Sequence, residues 1–383
     1  MKDRIKYVLL HILRYVLCLF NIFPVRANRI VFYSFNGKQY SCNPRQISEY
    51  LEEHYPGQFE IIWAFKNPKE KKALLPENVK AIKYRSVSYY YYAKTARVIV
   101  QNVQGYGEIK RRKGQDIIQT WHASNGYKQQ GRYTGIRRKL ELLYHKDYSI
   151  VLSGSDSMTQ RRVRGTMGFL GNVINGTPRM DIIINRDHPE YRLKVCKFLG
   201  TDENVKILLY APTWRNNRND NEYGLNYEQV KDALERRFGG QWIIAVRLHP
   251  NVYTAPDINL PFVKNATKYP DMQELLYVAD ALISDYSSCI WDFSFTDRPC
   301  FLYCTDMEKY GQDRDFDIPI RQWRFPLATD MAGLLSDINT YDETAFKKAM
   351  ELHHQEMGSL EDGSATMRIC NVIYHLCLEE KQK

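Results

Sequence analysis

The feature that most constrains the fold is an alternation of strand-like and helix-like segments, which occurs in two successive series. The first series runs from RIVFYSFNG (29–37) through CNPRQISEYLEEHY (42–55) to KDYSIVLSGS (146–155). The second runs from KILLYAPTW (206–214) to RPCFLY (298–303). Alternating strands and helices indicate parallel sheets covered by helices. We therefore predict an α/β protein with two doubly wound domains that face a central cleft.

The length of the chain supports two domains, because 383 residues exceed one ordinary domain. The segment RMDIIINRDHPEY (179–191) lies between the two series and is predicted to be the crossover. The predicted domains are residues 26–185 and 186–345. Residues 1–25 are predicted to form a separate N-terminal helix, and residues 346–383 to form helices that pack across the domains.

The N-terminal segment is apolar but carries one polar stripe. Polar residues recur at steps of three and four, which places them on one side of a helix: Arg4, Tyr7, His11, Arg14, Cys18 and Asn21. Such a pattern predicts an amphipathic, basic helix at a membrane interface, and a core helix of the first domain is the open alternative. A signal peptide is disfavoured because no small-residue cleavage site follows.

Charge and cysteine content narrow the classes of partner and compartment. The 54 Lys and Arg residues against 44 Asp and Glu give a formal net charge of +10. This balance fits an anionic partner, which is a nucleic acid, a membrane surface or a phosphorylated substrate. The eight cysteines form no CxxC pair, which favours a reduced, cytosolic setting.

Four polar clusters follow predicted strands. They are TWHASNG (120–126), APTWR (211–215), RLHP (247–250) and SDYSS (284–288). Ligands of doubly wound sheets bind beyond the carboxyl ends of the strands, so these clusters predict the functional site. The last cluster follows a predicted strand from Val278 to Ile283. Its Ser287 and Ser288 directly precede a predicted helix. The serines either cap the helix or form an anion-binding site at its N-terminus. Because all four clusters lie at strand ends, the anion-binding site is favoured.

Several common motifs are absent from the sequence. It contains no Walker A loop, no GxGxxG followed by an acidic residue and no HExxH. The pair Asp315 and Asp317 is a weak metal signal. We expect chemistry without a metal or another cofactor.

Five motifs in order carry a resemblance to a known family. They are QTWHASNGYK (119–128), NGTPRMD (175–181), LLYAPTWR (208–215), RLHP (247–250) and ADALISDYSSCIWDF (279–293), and DGSATMR (362–368) is similar to the closing motif. Together they resemble the CDP-glycerol glycerophosphotransferase family, which makes polyol-phosphate chains of teichoic acids and related capsules. The resemblance implies two Rossmann-like domains in a GT-B arrangement and transfer of glycerol phosphate from CDP-glycerol. It also implies a lipid-linked saccharide or polyol-phosphate acceptor, release of CMP, and a place at the cytoplasmic face of the membrane.

The resemblance and the chemistry of alcohol attack assign roles to individual residues. His122 is the expected general base, since an ordinary histidine pKa of about 6.5 leaves it partly neutral. His249 is expected to donate a hydrogen bond to the donor pyrophosphate. Ser287 and Ser288 would bind that pyrophosphate, and Asp285 would orient their turn. Arg179 and Arg215 are candidate phosphate partners. Thr213 and Arg247 are further candidates for substrate binding, and Asp306 and Glu308 are candidates for contact with a ribose hydroxyl.

Two alternatives stay open at this stage. The family commonly reads TWHG followed by Thr-Pro-Leu, whereas Ala123, Ser124, Asn125 and Gly126 follow His122 here. This departure permits CDP-ribitol or another CDP-polyol as the donor. The second alternative is a basic, membrane-associated nucleic-acid-binding protein, in which the tyrosines of SVSYYYYAKTAR (86–97) stack bases. Its basic residues are scattered, so we expect an anionic membrane surface as a partner and no nucleic acid.

Overall fold

The computed structural model describes residues 2–105, 107–129, 133–213, 224–248, 260–307, 310 and 316–379. The chain forms two compact units. Unit 1 comprises Met1–Ser124, Gln130–Asp181 and Leu360–Lys383, and unit 2 comprises Asn125–Gln129 and Ile182–Ser359. The change of unit after Asp181 lies four residues before the predicted boundary. The predicted C-terminal region is divided, because the chain returns to unit 1 at Leu360.

Unit 1 contains a seven-stranded sheet in the order β3-β2-β1-β4-β5-β6-β7, in which every pair is parallel. The strands are β1 (Arg26–Tyr33), β2 (Glu60–Phe65), β3 (Lys80–Lys83), β4 (Ala96–Gln101), β5 (Asp116–Gln119), β6 (Ile150–Ser153) and β7 (Asn172–Asn175). The α-helices that begin before the change of unit are α1 (Lys2–Val16), α2 (Cys42–His54), α3 (Pro68–Lys71), α4 (Val87–Thr95), α5 (Gly135–His145), α6 (Asp156–Met158) and α7 (Pro178–Asn185), of which α7 crosses it. A π-helix over Thr159–Thr166 extends α6.

The central strands of unit 1 are buried on both faces. Ile30 and Phe32 of β1 pack into one hydrophobic cluster, and Val31 and Tyr33 pack into a second one. Alternate side chains of a strand point to opposite faces, so both faces of this sheet are covered. This explains why the predicted strands are nearly continuous apolar runs rather than alternating ones.

The N-terminal helix packs on unit 1 through its polar side. Arg14 is 3% exposed, forms an ion pair with Asp147 and donates to the carbonyl oxygen of Gly107. Leu10 packs in a small cluster with α5, and Leu17 enters a main core cluster. The polar stripe therefore faces the protein at Arg14, and binding of this helix to a membrane stays a prediction. The segment Lys2–Ile22 is long and apolar enough, by length and composition, to cross a membrane.

Unit 2 contains a six-stranded parallel sheet in the order β10-β9-β8-β11-β12-β13. Its strands are β8 (Lys206–Ala211), β9 (Trp242–Val246), β10 (Val263–Asn265), β11 (Ala281–Ser284), β12 (Cys300–Tyr303) and β13 (Leu327–Ala328). Its helices are α8 (Glu190–Leu199), α9 (Tyr227–Phe238), α10 (Met272–Val278), α11 (Cys289–Ser294), α12 (Met331–Asn339) and α13 (Glu343–Met357). The helix α14 (Ala365–Tyr374) and the π-helix His375–Glu379 that follows it belong to unit 1.

Side-chain caps mark several helix starts in unit 2. Asn226, Asp271, Asp330 and Asp342 each accept a backbone hydrogen bond from the first turn of the helix that follows. The predicted strand at Val278 to Ile283 is partly wrong, because α10 continues to Val278 and β11 begins at Ala281. All of these apolar residues are buried, so apolar character could not separate the end of the helix from the strand.

Candidate functional site

His122 lies just beyond the carboxyl end of β5. Its ring atom Nδ1 is 2.7 Å from the carbonyl oxygen of Asn102. A carbonyl oxygen can only accept a hydrogen bond, so Nδ1 carries the proton. The neutral ring therefore holds its lone pair on Nε2. This is the tautomer that a general base needs.

Burial keeps the ring of His122 neutral. The pKa of His122 is lowered to about 4, and burial is the largest cause. The hydrogen bond to Asn102 opposes this change, and the positive charges of Arg179 and Arg162 add to it. The ring stacks on Trp121, at 5.0 Å between centroids, and packs at a tilt on Phe35. The histidine is thus less basic than the expected value of about 6.5 implied. It is also in the proton-accepting form throughout the neutral pH range.

The turn that carries His122 has an unusual backbone. Trp121 adopts a positive φ of 54°, in the left-handed region that bulky residues rarely occupy. Its N–H donates to Oε1 of Gln119 at 2.9 Å. Backbone strain of this kind persists only where surrounding contacts over-determine the conformation, and it clusters at functional sites.

Arg162 was not predicted as a site residue. It lies in the π-helix over Thr159–Thr166, and its guanidinium carbon is 3.9 Å from the centroid of the Trp121 ring. Short π-helical segments are rare in proteins, and those that occur are often found at functional sites. The sequence signal was only a run of basic residues, TQRRVRGT, whose π-helical geometry no spacing rule indicates.

Arg179, a predicted phosphate partner, is brought close to His122. It is 6% exposed in the first turn of α7, and its Nη2 donates to Oγ of Ser124 at 3.4 Å. Its charge is one cause of the lowered pKa of His122. Unit 1 thus places a neutral imidazole ring and a guanidinium group close to each other.

Glu361 is a second residue that the sequence did not indicate. Its carboxyl group accepts the backbone N–H of Thr177 at 2.9 Å and the hydroxyl of Thr177 at 2.6 Å. Burial raises the pKa of Glu361 to about 8. A Cβ at position 154 would lie 2.1 Å from Oε1 of Glu361, so only glycine admits this carboxyl group. The available signal was the DGSATMR motif, which begins one residue later.

In unit 2, Asp285 joins the ends of two neighbouring strands. It is 4% exposed, and its two carboxylate oxygens lie 2.8 and 3.0 Å from the backbone nitrogen of Thr213. Thr213 follows β8, which pairs with β11 beside it. The same carboxylate accepts the N–H of Tyr286. The contacts are those expected of a residue that orients the turn, and its role in substrate binding stays a prediction.

The two serines differ in their contacts. Oγ of Ser287 accepts the N–H of Cys289 at 3.4 Å. Ser288 occupies the N-cap position of α11, but its side chain makes no capping hydrogen bond among the residues that the structure describes. Simple capping therefore does not account for Ser288, and pyrophosphate binding by both hydroxyls stays a prediction.

Arg247 and Asp306 have protein partners in unit 2. Nη1 of Arg247 donates to the carbonyl oxygens of Tyr269, at 2.8 Å, and Ala266, at 3.4 Å, and burial lowers the pKa of its guanidinium group. Asp306 accepts the hydroxyl of Tyr286 at 3.0 Å. One nitrogen of Arg247 thus donates hydrogen bonds to the loop after β10.

Some predicted positions cannot be placed. His249, Arg215 and Glu308 lie outside the described residues, as does Asp315. Within the described part of the chain, no group of three or more His, Cys, Asp or Glu side chains is arranged to hold a metal ion.

The sequence of this chain is similar to those of a known protein family. Residues 15–375 match the family described as CDP-Glycerol:Poly(glycerophosphate) glycerophosphotransferase. The chain is 28% identical to the teichoic acid glycerol-phosphate transferase of Staphylococcus aureus, over 97% of this chain and 99% of the relative. It is 27% identical to the teichoic acid poly(glycerol phosphate) polymerase of Staphylococcus epidermidis, over 91% of this chain. The chain spans about half, 51%, of that polymerase.

A solved structure is also similar. A variant of the wall teichoic acid polymerase TagF, from a soak with CDPG, superimposes with a TM-score of 0.81 and 25% identity, over 99% of this chain and 97% of that one. This likeness confirms the predicted α/β, GT-B-like fold.

Proposed function

Because the chain belongs to the CDP-glycerol:poly(glycerophosphate) glycerophosphotransferase family, we propose that it transfers glycerol phosphate from CDP-glycerol to a hydroxyl of a growing teichoic acid. CMP is the second product. The observation that carries the proposal is the hydrogen bond between Nδ1 of His122 and the carbonyl oxygen of Asn102. It presets the base tautomer in the motif where the family resemblance expects the base.

The reaction needs little beyond a base and positive groups. The acceptor oxygen attacks the phosphorus that bears glycerol, and the bond from this phosphorus to the bridging oxygen breaks. Nε2 of His122 takes the proton of the acceptor hydroxyl, and the electron pair of the broken bond leaves with CMP. Preorganised donors that meet the developing charge on phosphoryl oxygens supply much of such catalysis. Arg179 and Arg162 are the cationic candidates in unit 1.

Donor binding is assigned to unit 2. Ser287 and Ser288 bind the pyrophosphate in this proposal, and Asp285 holds their turn to the strand end at Thr213. His249 and Arg215 complete the donor-side groups, with Asp306 and Glu308 toward the ribose. The CDPG soak of TagF supports a CDP-glycerol donor for a chain of this fold.

The acceptor is lipid-linked, and the protein works at the cytoplasmic face of the membrane. The outward side of α1 supports this part of the proposal. Ile5, Val8, Leu9 and Ile12 are each more than half exposed. Contiguous exposed apolar side chains mark membrane or protein interaction sites. The exposed Lys2, Arg4 and Lys6 at the start of the helix suit an anionic lipid surface.

CMP release from a panel of donors tests the proposal. The purified protein is incubated with a glycerol-phosphate-terminated lipid acceptor and with CDP-glycerol, CDP-ribitol or a longer CDP-alditol. We expect CMP chiefly from CDP-glycerol. Faster release from CDP-ribitol would favour the second candidate, a ribitol-phosphate transferase, which the Ala123 to Gly126 loop permits. No release from any donor would refute both.

A further inference from the structure

We propose that Asn43 is a positioning residue, which holds the turn before His122 and the backbone of Arg179 in a fixed relation. The role rests on the proposed function, because it concerns the base of that reaction. Asn43 lies in the first turn of α2 and is fully buried. Asn43 lies in none of the sequence motifs that carry the family resemblance.

The side-chain amide of Asn43 makes three hydrogen bonds to backbone. Nδ2 lies 2.9 Å from the carbonyl oxygen of Thr120 and 2.9 Å from that of Trp121. Oδ1 accepts the N–H of Arg179 at 2.9 Å. Both N–H donors and the carbonyl oxygen of the amide are therefore in use. Asparagine alone offers two donors and an acceptor on a side chain of this length.

The two carbonyl groups that Asn43 holds belong to the strained turn. The carbonyl group of Trp121 is part of the peptide that links it to His122, and Trp121 has the positive φ of 54°. Without Asn43, the carbonyl group of Thr120 loses this donor, and that of Trp121 keeps the longer bond from Oγ1 of Thr120, at 3.2 Å. The turn can then relax toward a common backbone conformation. That relaxation would move the His122 ring away from the carbonyl oxygen of Asn102, which sets its tautomer.

Three substitutions separate the two kinds of contact that Asn43 makes, which are donation from Nδ2 to two carbonyl groups and acceptance by Oδ1 of the N–H of Arg179. Asn43→Asp keeps the acceptor for Arg179 and the shape of the side chain, but an ionised carboxylate repels both carbonyl groups. Asn43→Ala removes both the donor and the acceptor. Asn43→Ser is smaller and can donate to one carbonyl group, and it remains available if either of the others does not fold.

Ser48→Ala is the matched control. Ser48 lies on the same helix, is 1% exposed and accepts the indole N–H of Trp63 at 2.9 Å. Its substitution removes a buried hydrogen bond of α2 without a contact to the turn. Melting temperatures of all four variants show how much each change costs the fold.

The first readout does not depend on catalysis. In protein with isotope-labelled histidine, NMR titration follows the ring of His122, assigned with His122→Ala. The wild type and Ser48→Ala should keep the Nδ1–H tautomer and a pKa near 4. In the Asn43 variants, we expect mixed tautomers, because a displaced ring no longer donates from Nδ1 to the carbonyl oxygen of Asn102. Loss of that hydrogen bond also removes a contribution that raises the pKa of His122, so its titration should shift. This readout remains valid if the protein acts on no CDP-alditol, so the two proposals can fail separately.

The second readout is a split of kinetic constants, with rates expressed per donor-binding site from calorimetry. Misplacement of a catalytic group by 1 Å costs about 10²-fold in rate. We expect a loss of about that size in kcat for Asn43→Asp and Asn43→Ala, a smaller loss for Asn43→Ser, and unchanged donor affinity. Wild-type kcat and an unshifted His122 titration in the Asn43 variants, with a stability loss like that of Ser48→Ala, would overturn the proposal.

Discussion

The Nδ1 atom of His122 lies 2.7 Å from the carbonyl oxygen of Asn102, and this contact determines which ring nitrogen can accept a proton. Asn102 is itself fixed, because its side chain accepts the N–H of Phe35 at 2.8 Å and donates to Oγ of Ser34 at 3.0 Å. The ring of the proposed base is thus oriented by a backbone group just after the neighbouring strand β4.

Substitution of the two histidines should impair different steps. His122→Ala should bind CDP-glycerol almost normally and turn it over on the order of 10² to 10⁴ times more slowly, the range for loss of a general base. His249→Ala should lose turnover and also donor affinity, since a hydrogen bond to a charged group contributes about 1.5–3 kcal/mol. Calorimetric titration with donor beside initial rates distinguishes them. Near wild-type rates for His122→Ala would show that it is not the base.

The rate should be insensitive to pH in the neutral range as far as His122 is concerned. The pKa of His122 is lowered to about 4, and the neutral ring is the active form. Protonation therefore removes activity only as the pH falls toward 4, and not between pH 8 and 6. A histidine with an ordinary pKa of about 6.5 would lose half of its active form at that pH. A pH profile of kcat/KM that halves near pH 6.5 would contradict the lowered pKa.

Stability should fall with rising pH because of Glu361. Its pKa is raised to about 8 in the folded protein, above the ordinary value near 4.5. The folded state thus binds a proton that the unfolded state has lost between these values, so this contribution disappears as the pH rises through 8. Glu361→Gln should flatten the dependence of melting temperature on pH between 5 and 8. The exposed Glu351→Gln should leave the slope unchanged, and equal slopes in all three proteins would refute the shift.

Activity should survive EDTA. The pyrophosphate is proposed to be held by hydroxyls, backbone N–H groups and arginines, with His249, rather than by a divalent ion. Initial rates of CMP release are compared before and after chelation and again after addition of Mg²⁺. A strict requirement that Mg²⁺ restores would contradict this account, and Asp315 and Asp317 would become candidate ligands.

Membrane binding should depend on the outward side of α1. The triple variant Ile5→Ser, Leu9→Ser, Ile12→Ser removes three exposed apolar side chains and keeps the pair of Arg14 with Asp147. Burial of such a side chain is worth about 1.5–3 kcal/mol. Loss of even half of this for three residues weakens partition into anionic vesicles more than about tenfold.

The control for membrane binding is Leu170→Ser, which changes an 86% exposed leucine elsewhere in unit 1. Charge reversal at Lys2, Arg4 and Lys6 should also weaken co-sedimentation, because attraction to anionic lipid adds to the apolar contribution. Deletion of residues 1–23 is a poorer test, since it removes Leu17 from the core. Unchanged co-sedimentation of the triple variant would favour the alternative of a helix that serves only the first domain.

Sequence reasoning reached the parts of this protein that local pattern controls. Strand and helix periods predicted the parallel sheets, and polar residues after apolar runs placed His122 and Asp285 at strand ends. Strands that alternate with helices bring their carboxyl ends to one edge of a sheet, so such positions can be inferred without coordinates. The same reasoning could not separate Val278 from the strand that follows, because helix and strand are equally buried there.

Tertiary structure decided the contacts that join distant parts of the chain. Asn43 meets residues 77, 78 and 136 positions later, and Glu361 meets Thr177 across 184 positions. The polar stripe of α1 was visible as a pattern, but only packing showed that Arg14 turns toward Asp147 rather than toward water. A local pattern records which side of an element is polar. What that side meets depends on folding, because buried polar groups must find their partners wherever the folded chain brings them.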